Sequence, residues 1–325
     1  MTAYLIRRLL WAIPTLLGVN VLLFALFFIV NTPDDMARVH LGVKRVTPEA
    51  VERWKAERGY DKPLFVNDKA SGGEKLTDTV FFNKSVRMFA LDFGRSDDNR
   101  DINYEIATRA GPSLMLAMPA FILGLLAAVS TSLFLVFVRA TRLDVLGVVL
   151  CVIAMSISGL FYIIGGQYFF AKVLAWVPIS GYQSGWDAWR FVILPVAIGV
   201  IGSLGGSARW YRSLFLEEIN RDYVRTARAK GLSETRVLFV HVLKNGMIPI
   251  LTGVVVVIPS LFLGSLISES FFGIPGLGSY TIDAIQSQDF AIVRAMVFIG
   301  AALYILGLIL TDLSYTLVDP RVKLK

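Results

Sequence analysis

Cysteine and histidine are nearly missing from this chain, and their scarcity removes whole classes of chemistry. Among 325 residues there is one cysteine, Cys151, set in an apolar run. No intrachain disulfide can form and a cysteine-based zinc cluster is excluded, so Cys151 reads as a small apolar filler. The two histidines, His40 and His241, stand far apart in the sequence, which makes a histidine metal site improbable on ligand spacing. No Gly-x-x-x-x-Gly-Lys-Ser/Thr phosphate cradle occurs, and Gly72-Gly73-Glu74-Lys75 lacks the required order. The chain is therefore not its own P-loop ATPase. Charge is scarce as well: 18% of residues are charged against 55% hydrophobic, an apolar excess that points to the bilayer as solvent.

What is present is a set of long apolar runs. The first, Leu9 to Val30, follows Arg7 and Arg8, is long enough to span, and lacks the small-residue cleavage site of a secretory signal. Five more follow, near 113–138, 145–171, 191–204, 247–267 and 291–310. The fourth is weakest, diluted by Gly199, Gly202, Gly205 and Gly206, although small residues are what close helix contacts in a bilayer use. Six spans place both termini on one side. Fifteen basic residues fall in the segments predicted inside, including Arg139, Arg142 and eight between Arg209 and Lys244, whereas the two short outer loops hold only Lys172 and Arg190. That asymmetry sets the amino terminus inside. None of the runs contains Asp, Glu or Lys; Glu269, Asp283, Asp289, Asp312 and Arg294 fall at predicted helix ends or outer connections. The midplane ion relay of a coupled carrier is missing, and no set of nucleophile, base and metal ligands converges for an enzyme.

Between the first two runs lies a long polar segment, about 31–110, with 14 basic and 14 acidic residues up to Arg109. The balance suits a solvated outer subdomain better than a nucleic-acid arm. Thr47-Pro48-Glu49 predicts a capped helix running to about Gly59, with Val51, Trp54 and Lys55 on a packing face. The aromatic and basic residues of Val80 to Gly94 (Phe81, Phe82, Lys84, Arg87, Phe89, Phe93) read as interfacial packing, not as a single-strand platform.

The most informative stretch is predicted to be cytoplasmic: Asn220-Arg221-Asp222-Tyr223-Val224-Arg225-Thr226-Ala227-Arg228-Ala229-Lys230-Gly231. Asn220 is expected to cap a short helix with Asp222 in its first turn, Arg228 and Lys230 in its last, and Gly231 as the left-handed residue that ends it. Tyr223, Val224 and Ala227 form an apolar patch expected to face outward, against another protein's groove or an anionic lipid surface. Ser233 starts a second helix that leads into the fifth run.

Asp222 through Leu232, continued by His241-Val242-Leu243-Lys244-Asn245 and Pro249, closely resembles the coupling-loop signature of dipeptide/oligopeptide ABC transporter permeases. The likeness extends to Tyr4-Leu5-Ile6-Arg7-Arg8, Gly59-Tyr60-Asp61-Lys62-Pro63, Asp92-Phe93-Gly94-Arg95-Ser96, Trp176-Val177-Pro178, Glu269 to Gly278 and Val318-Asp319-Pro320-Arg321. The amino-terminal pattern and long outer segment resemble the B-type member of the permease pair. Several departures stand out. Arg225-Thr226-Ala227 replaces the Glu-Ala-Ala of the general importer signature, Thr32-Pro33-Asp34-Asp35 replaces Pro-Gly-Asp-Pro, and the third run lacks a proline near Ser156 to Phe161.

The resemblance implies an all-α membrane protein with six transmembrane helices, the type I ABC importer permease fold and an extended periplasmic segment after the first helix. It divides the chain into an amino-terminal end with first helix (1–30), a periplasmic segment (31–110) and a permease core (111–325) with a coupling helix at about 220–231. It implies a permease subunit of an ATP-driven, binding-protein-dependent importer of peptides or peptide-like solutes, working by alternating access in the bacterial inner membrane with both termini cytoplasmic. The implied partners are a second homologous permease, two ATP-binding cassette ATPase subunits that hold ATP and Mg, a periplasmic or lipid-anchored solute-binding protein, and membrane lipid; no nucleic acid is involved. No catalytic residue or cofactor is expected in this chain. Ala227 is expected to sit in the ATPase socket. Ser156, Ser158, Gln167, Ser203 and Ser207 could hydrogen-bond cargo or neighbouring helices, and cargo ligands stay unassigned. A self-sufficient channel or secondary transporter is the alternative.

Overall fold

The computed structural model describes residues 2–42 and 46–318. The Asp319-Pro320-Arg321 part of the carboxy-terminal signature, with Lys44, Arg45, Lys323 and Lys325, lies outside them. The described residues are helical apart from loops and one isolated bridge between Arg95 and Asp101. Five helices are long and apolar enough to cross a membrane, and a sixth span results if one bent pair is counted as a single crossing. The protein is thus an all-α, multi-pass membrane protein. The described residues divide into two compact units, one comprising those of 2–108 with 280–309, the other 109–279 with 310–318.

In the first unit α1 (Thr2–Phe24) runs into a π-helical stretch, Ala25–Val30, completing the first span. Thr32 and Asp35 form a reciprocal capping box with Pro33 in the first position of α2 (Pro33–Leu41). In α3 (Pro48–Arg58) Thr47 caps as expected, accepting from the Ala50 N–H. Gly59, left-handed at φ 66°, ends it: the Tyr60 N–H reaches the Lys55 carbonyl at 2.8 Å and the Gly59 N–H that of Ala56 at 3.1 Å, the Schellman pattern. Val51 and Trp54 are buried, and Lys55 is ion-paired with Asp34 at 2.8 Å. With Phe24, Phe28, Met36 and Tyr60 these apolar residues form one aromatic-rich core. The short helices α4 (Glu74–Thr77) and α5 (Val80–Lys84) follow. Asp97 accepts from Arg58 Nε at 2.7 Å, and its own N–H donates to Asp289 Oδ2 at 2.7 Å.

In the second unit α6 (Ile102–Phe137) and α7 (Arg142–Ser156) lead to α8 (Gly159–Gly166), which continues as a π-helical stretch, Gln167–Val173. The third apolar run is therefore not one straight helix: it bends by 87° at Ile157-Ser158. Both residues are extended, at ψ 127° and 141°. The bend needs no proline because Tyr162 OH donates to the Ala154 carbonyl at 2.7 Å, satisfying a backbone group the break exposes. Next is α9 (Ala188–Ile219), much longer than the glycine-diluted run suggested. Gly205 explains the dilution, since a Cβ there would lie 2.5 Å from the Cys151 carbonyl oxygen of α7. The same pair is clamped by a bidentate bond from Arg212 to Asp144, at 3.0 and 2.8 Å.

The rest of that unit begins with α10 (Asp222–Ala229) and α11 (Glu234–Arg236). A π-helical stretch, Val237–Val242, then feeds α12 (Leu243–Ser260), followed by α13 (Leu266–Phe272), and the chain returns to the first unit within α14 (Leu277–Ser287). The last span belongs to α15 (Phe290–Val318).

Candidate functional site: helix α10 and the small-residue cavity

Helix α10 covers the core of the predicted docking segment, but its start and orientation differ from expectation. Arg221, extended at φ −72° and ψ 153°, precedes it without a side-chain cap, and Asn220 instead ends α9, its Nδ2 donating to the Leu216 carbonyl at 2.9 Å. Gly231 does take the left-handed conformation, φ 78°. The apolar face does not point outward. Val224 and Ala227 are 0% and 4% exposed, packed with Phe215 and Ile219 of α9 and with Val237, Leu238 and Val242 of the π-helical stretch. A helix of eight residues cannot hold itself together. Its apolar stripe is therefore needed for attachment to its own chain.

The exposed face consists of Asp222, Arg225, Thr226 and Ala229, spaced i, i+3, i+4 and i+7 on one side of the helix. The side chains of Asp222 and Arg225 are 97% and 75% exposed. Ala227 thus belongs to the chain's own core, and the surface free to meet a partner is polar, on the opposite side of the helix.

Several bonds keep α10 in place. Tyr223 OH donates to Glu218 Oε2 at 2.7 Å; burial, reinforced by that carboxylate, pushes the phenol up to about 12. Arg228 grips Glu234 through Nε at 2.6 Å and Nη2 at 3.3 Å, and Arg139 reaches the same carboxylate at 3.6 Å. At Gly246 a Cβ would fall 2.5 Å from the Phe215 ring, so the start of α12 meets the end of α9 with no room for a side chain.

Towards the opposite end of these helices lies a cavity of about 400 Å³ walled largely by small side chains, among them Ala120, Gly124, Gly199, Ser203, Ser207 and Ser260. Of the polar residues weighed from sequence, Ser203 and Ser207 line it, with Ser203 Oγ also donating to the Val200 carbonyl at 3.1 Å. Ser156 Oγ donates within its own helix, to the Val152 carbonyl at 2.8 Å. Gln167 Nε2 donates to the carbonyls of Ile179 and Phe271, both at 3.0 Å, and Ser158 sits at the bend. Among the described residues no group of three or more His, Cys, Asp or Glu could hold a metal ion.

The model of the binding-protein-dependent transport system inner membrane component family matches residues 112–324, and the model of that family's amino-terminal region matches residues 1–70. The chain belongs to this family. It is similar to a protein of Brucella abortus provisionally named a peptide transport system permease, 32% identical over 329 residues covering 99% of each chain. A Brucella suis protein provisionally named a peptide permease is 30% identical, again over 99% of each. The glutathione transport system permease protein GsiC of Salmonella typhimurium is 31% identical across 100% of both chains.

For this inner membrane component one further group was not assigned a role from sequence. Glu269, in the Glu269 to Gly278 signature, is 0% exposed. Its Oε1 accepts the Ser265 N–H and its Oε2 the Ser279 N–H, each at 3.0 Å. Burial pushes its carboxyl up, opposed by the Ser279 N–H, the Ser113 hydroxyl and the Ser265 N–H. Ser113 Oγ in turn accepts the Leu277 N–H at 2.7 Å. The spacing Glu269 to Ser279 carries no periodic signal, so only the signature itself marked the residue.

Proposed function

We propose that the chain is a transmembrane permease subunit of an ATP-driven, binding-protein-dependent importer of peptides or peptide-like solutes. The observation that carries this reading is α10: a short helix sealed by its apolar face to α9 and α12 while its polar face stays open, in a chain of this transport family. The bent pair α7–α8 counts as the third of six spans, giving the type I importer arrangement with both termini cytoplasmic, residues 31–110 periplasmic and 111–325 as the permease core. The peptide and glutathione names of the relatives support the cargo class.

The mechanism follows from how α10 is attached. ATP and Mg bind in two partner ATPase subunits, whose closure presses on the Asp222, Arg225, Thr226 and Ala229 face. Because Val224 and Ala227 pack on both Phe215 and Val237, the displacement passes as a rigid body to α9 and α12 together. The cavity by Ser203 and Ser207, with its small side chains and hydroxyl oxygens able to accept, suits a peptide backbone in transit, delivered by a periplasmic binding protein and shared with a second permease subunit.

Reconstitution tests it. In proteoliposomes holding this chain, its partner permease and the ATPases, labelled peptide should enter only with binding protein and ATP. Uptake by this chain alone without ATP would make it a channel or secondary carrier.

A further inference from the structure

The unit formed by the described residues of 2–108 and 280–309 holds more positive charge at one point than its own carboxylates neutralise. A cavity of about 220 Å³ there is walled by six basic side chains and one acid, Asp92. Three of the six are matched: Arg58 with Asp97 at 2.7 Å, Lys62 with Asp78 at 2.5 Å, and Arg87 with Asp92 at 3.6 Å. Lys84, Arg95 and Arg294 make no carboxylate contact within 4.0 Å among the described residues, with Asp97 and Asp289 acting on Arg294, and Asp97 on Lys84, only from farther away. Arg95 donates to Asn99 Oδ1 at 3.0 Å. Lys84 stands 5.2 Å from the Tyr60 ring and Arg294 4.7 Å from that of Phe28. These rings meet edge-on at 5.4 Å, so one aromatic cluster supports both cations.

Arg294 points most directly to a ligand. It is 4% exposed, its Nε donates to the Phe290 carbonyl at 3.2 Å, and its Nη1 has no hydrogen-bond partner. A buried guanidinium N–H without an acceptor is rare in folded proteins. Lys84 is affected too: burial, with Arg294 second, draws its ammonium down to about 8, a shift that a bound anion would reverse.

We infer that this cavity binds a phosphate oxyanion, either inorganic phosphate or the phosphate of an anionic phospholipid headgroup, held by Arg294, Lys84 and Arg95. The three cations come from α15, α5 and the loop before α6. Convergence from separate elements suits a tetrahedral, multiply accepting group better than a planar carboxylate, which one forked arginine satisfies. The headgroup source is favoured by position. Arg294 lies in the opening turns of a candidate span, and the exposed Phe89 and Leu91 precede the cavity's Asp92, as at an interface where acyl chains begin.

The test uses the full chain. Inorganic phosphate should raise its melting temperature saturably in detergent, or phosphatidylglycerol should be retained over phosphatidylcholine in native mass spectra of protein released from nanodiscs. Lys84→Gln with Arg95→Gln should weaken that binding about tenfold. Lys69→Gln, an exposed change outside the cavity, should leave it unaltered. A phosphate response without lipid preference assigns the free ion, and lipid retention without a phosphate response assigns the headgroup. No saturable response to either probe, or equal weakening by Lys69→Gln, overturns the inference. So does acceptance of an acidic protein segment alone.

Discussion

Helices α10 and α13 are nearly equal in length, eight and seven residues, belong to the same unit and each bury apolar side chains, Val224 and Ala227 in one and Phe272 in the other, yet only α13 adds a fully buried carboxylate. Helix α10 rests on Val224 and Ala227, buried among Phe215, Val237 and Leu238, with no capping side chain. Helix α13 is held by Glu269, which collects N–H bonds from Ser265 and Ser279. Gly264 and Gly276 leave the room it needs, since a Cβ at either would fall 2.0 or 2.3 Å from a carboxylate oxygen. Apolar contact is non-directional and tolerates small displacements. A carboxylate meeting several fixed donors tolerates few. The first fastening suits a joint that transmits movement, the second a loop whose shape must not change.

The largest expected effect comes from breaking the rigid partner of that pair. Glu269→Ala leaves buried N–H groups without an acceptor and should lower stability by about 3–5 kcal/mol. Glu269→Gln, which keeps one acceptor oxygen, should fall between it and wild type. Denaturant unfolding in detergent reads both, and an Ala variant as stable as wild type would refute the buried knot.

Ala227→Asp comes next. It places a carboxylate in the chain's own core rather than in a partner's socket, and should destabilise by about 2–3 kcal/mol. The loop around α10 should then lose hydrogen-exchange protection in the isolated protein, before any ATPase is added. Unchanged protection would return Ala227 to the outer face.

Smaller still is the effect of Arg228→Gln, which removes the bonds from Arg228 to Glu234 at 2.6 and 3.3 Å while leaving Arg139 at 3.6 Å from the same carboxylate. Hydrogen-exchange protection of the α10 amides should fall by less than about 1 kcal/mol, and a loss as large as that of Ala227→Asp would show that the ion pair rather than the apolar face holds the helix.

How much of this was legible beforehand depended on range. A bilayer demands long apolar runs, so Leu9 to Val30 and its successors marked the spans directly. Thr47-Pro48 and Gly59 marked α3 because caps are local. The bend at Ile157-Ser158 was hidden, since its compensation is the Tyr162 hydroxyl rather than a proline. The inward face of α10 is hidden from the sequence because an apolar stripe looks the same whether it meets a partner or its own chain, and a surface helix spends such a stripe on its own chain. Glu269, Asp97 with Asp289, and Arg212 with Asp144 join residues too far apart in sequence for any periodicity to connect.

The central claim is that α10 is fixed to its chain by one face and works through the other, and Arg225→Glu tests it most directly. With its side chain 75% exposed, the substitution should change stability by less than about 0.5 kcal/mol. In the assembled transporter it should nevertheless abolish cargo-stimulated ATP hydrolysis, with the ATPase subunits failing to co-purify. Full stimulation and normal co-purification by Arg225→Glu, with the complex intact, would contradict it.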